Sequence, residues 1–176
     1  MRNNRDITID VFYLGTIEDG IKQLESLRAD FITQMHRMLE RLCMEGIKVI
    51  NSVLSGVDLD GYAPDATSSF ELITLTPRSA MAKLTLEGTD VLFVEFGAGL
   101  LYSNPQNPKA GEMGMGVGTY PGQTHAYDPA GWWFTKGGGG HTEKIHSYGN
   151  PAYMPMYKAS EELRNSVAKI FDEYFG

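Results

Sequence analysis

The chain has 176 residues, which suits a single domain spanning 1–176 and suffices to bury a core without disulfide or metal support. Its one cysteine, Cys43, excludes an internal disulfide framework and a cysteine-only zinc site. The formal net charge of -7 argues against a protein that wraps nucleic acid, because such proteins carry a basic stripe. The polar N-terminus is unlike a signal peptide and no apolar run reaches transmembrane length, so we expect no membrane association.

The apolar residues in the first third of the chain follow two different spacings. Residues 7–14, ITIDVFYL, alternate apolar and polar side chains, which predicts a half-buried strand. From Ile17 to Val53 apolar residues recur at spacings of three and four, which predicts a long amphipathic helix. We expect Thr16 to be its N-cap, Gly56 to close it, and His36 to lie exposed on it.

Three strands are predicted next, at 70–77, 79–88 and 90–99, with the short hairpin turn EGTD joining the last two. The run VLFVEF is almost wholly apolar, which predicts a central strand covered on both faces. Residues 97–131 then form a long glycine- and proline-rich loop. Loops of more than about 15 residues are commonly functional or ordered by a partner.

The last part of the chain returns to regular structure. GWWFTK predicts a short strand, which would place Trp132 and Phe134 on one face and Trp133 on the other. HTEKIHS is expected to be irregular, and a C-terminal helix is predicted over residues ~154–175 from its apolar stripe. The predicted fold is α+β: a small antiparallel β-sheet packed against a long N-terminal helix and a C-terminal helix, with a long Gly/Pro-rich loop.

Several polar residues are candidates for catalysis or metal binding. His125, His141, His146 and Asp128 fall in one loop-rich region, so a metal-dependent hydrolase is the alternative function. Their spacing matches no metal motif with a mechanism, and surface histidines are common. Glu95, a charge in an apolar run, must meet a partner; a hydrogen bond to a loop or another subunit is favoured over a catalytic role. We expect no catalytic residue, metal or cofactor.

The tryptophan pair has several possible roles. Trp132 and Trp133 could belong to the core, or form a stacking platform for a glycan or a base. Large aromatic side chains on a short strand beside long loops are also typical of the centre of a protein–protein interface. The acidic charge of the chain speaks against the base-stacking role.

Four segments, in this order, resemble the head–tail joining or tail-completion (neck) proteins of long-tailed phages and prophages, of the lambdoid connector and minor tail protein Z type. They are ITIDVFYLGTIEDGIKQLESL at 7–27, VLFVEFGAG at 91–99, the Gly/Pro loop closing on GWWFTKGG, and HTEKIHSYGNPAYMPMYKASEEL at 141–163. The chain departs from the family pattern at Tyr153, where arginine or glutamine is expected, and at Ala98, where threonine is commoner.

The resemblance implies a non-enzymatic virion protein that resides in the host bacterial cytoplasm before assembly. Its subunits would form a sixfold homo-oligomeric ring around the DNA channel, in contact with stopper, tail-terminator or tail-tube proteins. A negative channel would repel phosphates and let DNA pass without specific binding. The candidate interface residues are Glu95, Phe96, Leu100, Leu101, Tyr102, Met113, Met115, Trp132, Trp133, Phe134, Tyr153, Met154 and Met156.

Overall fold

The structure, a computed structural model, describes residues 13–76, 79–99, 107–115, 128–138 and 141–176. Within these ranges the strands form two separate two-stranded antiparallel sheets, β1–β2 and β3–β4. The predicted α+β class, with a long N-terminal helix, a small antiparallel sheet and a C-terminal helix, is confirmed, although the described strands form two separate sheets where one was predicted. In chain order the elements are α1 Leu14–Leu54, β1 Thr67–Thr76, β2 Ser79–Glu87, α2 Val91–Phe96, β3 Trp132–Gly138, β4 His141–Ser147 and α3 Pro155–Phe175.

The helix α1 is continuous over 41 residues and begins earlier than predicted. Tyr13 occupies the N-cap position, and Thr16 lies inside the first turn, where its Oγ1 donates to the Tyr13 carbonyl at 2.7 Å. The prediction of Thr16 as the N-cap is therefore wrong. Of the predicted strand at 7–14, residues 7–12 lie outside the described residues and Leu14 is helical. The helix ends close to the expected Gly56, with the Ser55 amide donating to the Asn51 carbonyl.

The sheet β1–β2 and the helix α3 both pack against α1. Alternate residues of β1 and β2 are half-buried, with Phe70 opposite Leu84. The closest approach occurs at Gly46, where an added Cβ would lie 2.7 Å from a Leu84 methyl and 3.4 Å from a Leu163 methyl. At Gly46 the α1 backbone therefore packs directly against leucine side chains of β2 and α3, and a larger residue would force the Leu84 side chain to shift.

The segment 90–99 is not a strand. Val91–Phe96 forms the short helix α2, and the turn EGTD leads into this helix rather than into a third strand. An almost wholly apolar run of six residues is too short for its periodicity to tell a strand from a helix, and it is not covered on both faces as predicted, since Leu92 is 41% exposed. Gly97 ends the helix with φ of 78°, in the left-handed region that favours glycine.

The segment HTEKIHS is not irregular. It forms β4, which pairs with β3 and sets Trp133 opposite His146 and Phe134 opposite Ile145. The predicted strand at GWWFTK is confirmed as β3, and the predicted C-terminal helix is confirmed as α3. Of the predicted loop at 97–131, only residues 97–99, 107–115 and 128–131 are described, and 108–114 form consecutive turns.

The buried apolar residues form small clusters. Val57, Leu59 and Val94 make up one of them, with Leu54, Tyr62 and Tyr153 packed around it. Many large apolar side chains of the described residues are exposed, including Trp133 at 68% and Leu14 at 78%. Within the described ranges, none of the helices combines the length and the hydropathy that crossing a membrane requires.

Candidate assembly surfaces

Glu95 joins three segments of the chain at the start of α3. Its Oε2 accepts the Met156 amide at 2.9 Å, and its Oε1 accepts the Tyr157 amide at 3.0 Å. The Asn107 side-chain amide donates to the same Oε1 at 2.7 Å. The Met156 and Tyr157 amides belong to the first turn of α3, where backbone amides have no acceptor within the helix. The Glu95 carboxylate therefore caps the N-terminus of α3, although it lies 61 residues earlier in the chain than Met156.

Burial dominates the electrostatics of this carboxylate. Glu95 is 7% exposed, and desolvation raises the pKa of its carboxyl above the ordinary value. The hydrogen bonds from Met156, Tyr157 and Asn107 and the charge of Lys158 oppose the shift. The predicted hydrogen bond of Glu95 to another part of the protein is therefore made within the chain, to α3 and to the segment at Asn107.

A second set of contacts fixes α2 to the segment that precedes α3. Ala98 and Asn150 exchange backbone hydrogen bonds of 2.9 Å in both directions. The Asn150 side-chain amide donates to the Phe93 carbonyl at 2.8 Å, and the Tyr153 amide donates to the Val94 carbonyl at 2.9 Å. The segments EFGA and GNPAYM of the sequence resemblance thus form one hydrogen-bonded unit, which we call the α2–α3 junction (residues 93–98 and 149–157).

The β3–β4 hairpin, whose base lies beside this junction, exposes aromatic groups on its outer face. The Trp133 ring is 4.7 Å from the His146 ring, which in turn is 4.7 Å from the Tyr148 ring. Trp133 is 68% exposed and Tyr148 is 47% exposed. We call these three residues the hairpin patch. Exposed aromatic side chains that are already stacked lose little conformational entropy when a protein surface covers them.

A second exposed apolar surface lies on the N-terminal part of α1. Leu14, Ile17, Ile21 and Leu24, at spacings of three, four and three, form the helix stripe, which has the spacing of a coiled-coil seam. Leu14 is 78% exposed, Ile21 51% and Leu24 54%. Between residues 18 and 30, every α1 side chain is exposed except at Leu27 and the glycine at 20.

The two surfaces lie at opposite ends of α3. Gly46 lies near Leu163, and the Phe31 and Phe175 rings are 5.3 Å apart, so α3 runs antiparallel to α1 and ends beside Phe31. The helix stripe extends beyond this end, whereas the hairpin patch precedes the other end by a few residues. Because α3 has 21 residues, its two ends are about 30 Å apart.

The inner face of the hairpin borders a cavity of about 570 Å³. Trp132 and Phe134 line it, and Trp133 points away, so the predicted division of the three aromatic residues between two faces is confirmed. Lys136 reaches across to the loop after α1, where its Nζ lies 3.1 Å from the centre of the Tyr62 ring. Burial and then the charges of Asp90 and Asp60 raise the pKa of Tyr62 to about 12, so its hydroxyl remains protonated at neutral pH.

The predicted interface residues divide into four groups. Leu100, Leu101 and Tyr102 lie outside the described residues. Glu95, Phe96 and Met154 are buried within the chain and offer almost no surface to a sister chain. Met113 and Trp133 are exposed, at 62% and 68%. The half-buried residues are Met115, Trp132, Phe134, Tyr153 and Met156.

The histidines proposed for a hydrolase are not assembled by the described residues. His125 lies outside the described ranges, His141 begins β4, and His146 packs between two aromatic rings. In the part of the chain that the structure describes, no three His, Cys, Asp or Glu side chains form a group that could hold a metal ion. With His125 outside the description, the hydrolase stays an untested prediction.

Sequence reasoning missed the helix stripe and the cavity. The heptad spacing at Leu14–Leu24 was a usable signal, but its exposure depends on where α3 ends. The contact between Lys136 and Tyr62 joins residues 74 positions apart and leaves no local pattern. Comparison of the chain with protein-family models, with curated proteins and with solved structures finds no match.

Proposed function

We propose that the protein is a structural subunit of the head–tail junction of a long-tailed phage or prophage. In this proposal, copies of the chain form a closed, sixfold ring around the DNA channel. The ring contacts the stopper, tail-terminator or tail-tube proteins, and the protein catalyses no reaction. The four-segment sequence resemblance supplies the biological setting.

The observation that supports ring assembly best is the presence of two different exposed apolar surfaces on one chain, one on the β3–β4 hairpin and one on the N-terminal part of α1. A dimer with twofold symmetry uses the same surface on both subunits, so both patches would have to lie within one reciprocal interface. Two distinct patches that bind each other instead connect each copy head to tail, and such contacts close into a ring when the rotation permits. We therefore assign the hairpin patch of one subunit to the helix stripe of the next.

Charge is also compatible with a DNA channel. The chain has a formal net charge of -7, so a ring of copies would surround the channel with negative charge. Phosphates would be repelled rather than bound, and DNA could pass without being held. A charge of this size also opposes non-specific self-association, so the apolar patches must provide the attraction.

A complementation experiment tests the head-to-tail contact. One variant, Trp133→Ser, removes the hairpin patch; the other, Ile21→Ser with Leu24→Ser, removes the helix stripe. We expect each variant alone to sediment as a monomer. Their equimolar mixture should give a heterodimer and nothing larger, because one intact patch remains on each partner and only one junction can form.

Matched controls are available on the same elements as the two patches. Gln23→Ser changes the neighbouring exposed position of α1, and Glu143→Ser changes an exposed position of β4. Both should assemble like the unmodified chain by native mass spectrometry, in the presence of the neighbouring neck proteins. Dimers formed by either patch variant alone would show patch-to-self pairing, and a chain that stays monomeric with every virion partner would refute the proposal.

A further inference from the structure

The cavity beneath the hairpin is lined by aromatic and acidic side chains, a combination that packing of the hairpin does not require. Its volume of about 570 Å³ is within the usual range for ligand pockets. Aromatic rings from three different segments line it: Tyr62, Phe93, Trp132 and Phe134. Such walls suit a flat or elongated organic group rather than a hydrated ion.

The polar part of the lining is mainly acidic. Asp60, Asp65 and Asp90 contribute three carboxylates, whereas Lys136 contributes a single ammonium group. Asp90 is 8% exposed, and its Oδ2 accepts the Asp65 amide at 2.8 Å and lies 4.0 Å from the Lys136 Nζ. Among the described residues, the Asp60 carboxylate has no hydrogen-bond or ion-pair partner. The lining therefore has an excess of negative charge, which a positively charged group would offset.

The chain itself already places a cation in this environment. The Lys136 Nζ lies 3.1 Å from the centre of the Tyr62 ring, and the Ala63 carbonyl oxygen accepts a hydrogen bond from it at 3.5 Å. A cation over an aromatic ring is attracted by the negative face of the ring. The Lys136 side chain lines the cavity and is 38% exposed, so its ammonium group is within reach of solvent.

A metal ion fits this arrangement poorly. Within the described ranges the three aspartates do not form a group that could hold a metal. Separated carboxylates around aromatic walls instead match an extended cation, whose aliphatic part contacts the rings while its charged end meets the acids. Arginine and lysine side chains have this shape.

We propose that the cavity is a binding site for an arginine or lysine side chain presented by another protein chain, and that Lys136 competes with it as a tethered cation. The proposal does not depend on ring assembly, because every lining residue that carries it belongs to one subunit. Asp60, which is exposed and lines the cavity, would form an ion pair with the bound arginine or lysine side chain.

Fluorescence of Trp132 provides a direct measurement. The chain has two tryptophans, so Trp133→Phe leaves Trp132, which lines the cavity, as the only reporter. In this background we titrate N-acetyl-arginine-N-methylamide, its neutral citrulline analogue, and spermidine. We expect the arginine amide to change the Trp132 emission with a Kd of about 1 mM, typical of a single side chain, and the citrulline analogue to have no effect.

Two substitutions should shift the affinity in opposite directions. Asp60→Asn should weaken binding of the arginine amide about fivefold, as for the loss of one partly exposed ion pair. Lys136→Gln should strengthen it by a similar factor because the competing charge is removed. Lys144→Gln, on the same hairpin but outside the cavity lining and not opposite Lys136 in the β3–β4 register, serves as the control and should leave the Kd unchanged.

Three results would overturn the proposal. The first is equal binding of the arginine and citrulline compounds, which would show that charge does not select the ligand. The second is weaker binding after Lys136→Gln, which would make Lys136 a partner of the ligand. The third is binding of spermidine but not of the arginine amide, which would mean that the ligand is a free polyamine and not a protein side chain. All three can be read from a monomer, so they are independent of the ring experiment.

Discussion

Glu95 is the single side chain on which the α2–α3 junction depends most. Its carboxylate accepts the Met156 and Tyr157 amides at the start of α3 and the Asn107 side-chain amide. Burial raises the pKa of this carboxyl, so between its ordinary and its raised pKa the folded state binds more protons than the unfolded state. The free energy of unfolding contributed by Glu95 therefore falls as pH rises through that window.

The variant Glu95→Gln tests this dependence, since an amide of the same shape cannot ionise. We expect the free energy of unfolding of the wild type, minus that of the variant, to decrease as pH is raised from 4.5. The steepest possible slope is about 1.4 kcal/mol per pH unit for one proton. Urea unfolding followed by circular dichroism at half-unit steps from pH 4 to 8 measures the difference.

Glu143→Gln is the matched control for this experiment, because it removes a carboxylate from an exposed position of β4, away from the α2–α3 junction. Subtracting its profile removes the general effect of losing one negative charge. A difference for Glu95→Gln that stays constant with pH would mean that the hydrogen bonds balance burial at this carboxylate, and one that grows with pH would mean that they outweigh it.

Some secondary-structure elements could be predicted from the sequence and others could not, for physical reasons. α1 and α3 were predictable because long amphipathic helices repeat their apolar spacing over many turns. α2 was not, because VLFVEF is almost wholly apolar and has only six residues, too few for a helical or strand periodicity to be recognised. β4 contains only one apolar residue, Ile145, outside any alternating pattern; its pairing with β3 supplies the structure. The cavity likewise depends on Lys136 meeting Tyr62, a contact made by the fold.

The length of α1 leads to a prediction about local stability. Its residues 14–27 extend beyond the end of α3, and an isolated helix of about 14 residues is marginal in water. Residues 38–53 include the buried Met38, Cys43 and Ile50. In the monomeric Trp133→Ser variant, we expect backbone amides of 18–27 to exchange with deuterium at least about tenfold faster than those of 38–53.

Hydrogen exchange read by mass spectrometry also tests the assembly role of the helix stripe. In the assembled wild-type protein, exchange at 18–27 should slow toward the rate of 38–53, because a neighbouring hairpin patch covers the stripe. The segment 38–53 provides the internal control, since its protection should be alike in both samples. Uniform protection along α1 in the monomer would show that the exposed end is stable without a partner.

At the scale of the whole molecule, stability and assembly should be linked. The buried clusters of a single chain are small, whereas Trp133, Leu14, Ile21 and Leu24 leave apolar area in water. Burying that area between copies stabilises the folded state by mass action, by about 2.7 kcal/mol when the free subunit concentration is 100 times the Kd. The Tm of the wild type should therefore rise with protein concentration.

Differential scanning calorimetry over a hundredfold range of concentration measures this rise. The combined variant Trp133→Ser with Leu24→Ser should show a Tm that is independent of concentration, whereas Glu143→Ser with Gln23→Ser should behave like the wild type. The comparison separates two causes of a low Tm: a variant that merely weakens its own fold would start lower but keep the wild-type slope. A wild-type Tm that does not change with concentration, under conditions where sedimentation shows assembly, would mean that the interface buries surfaces other than these two.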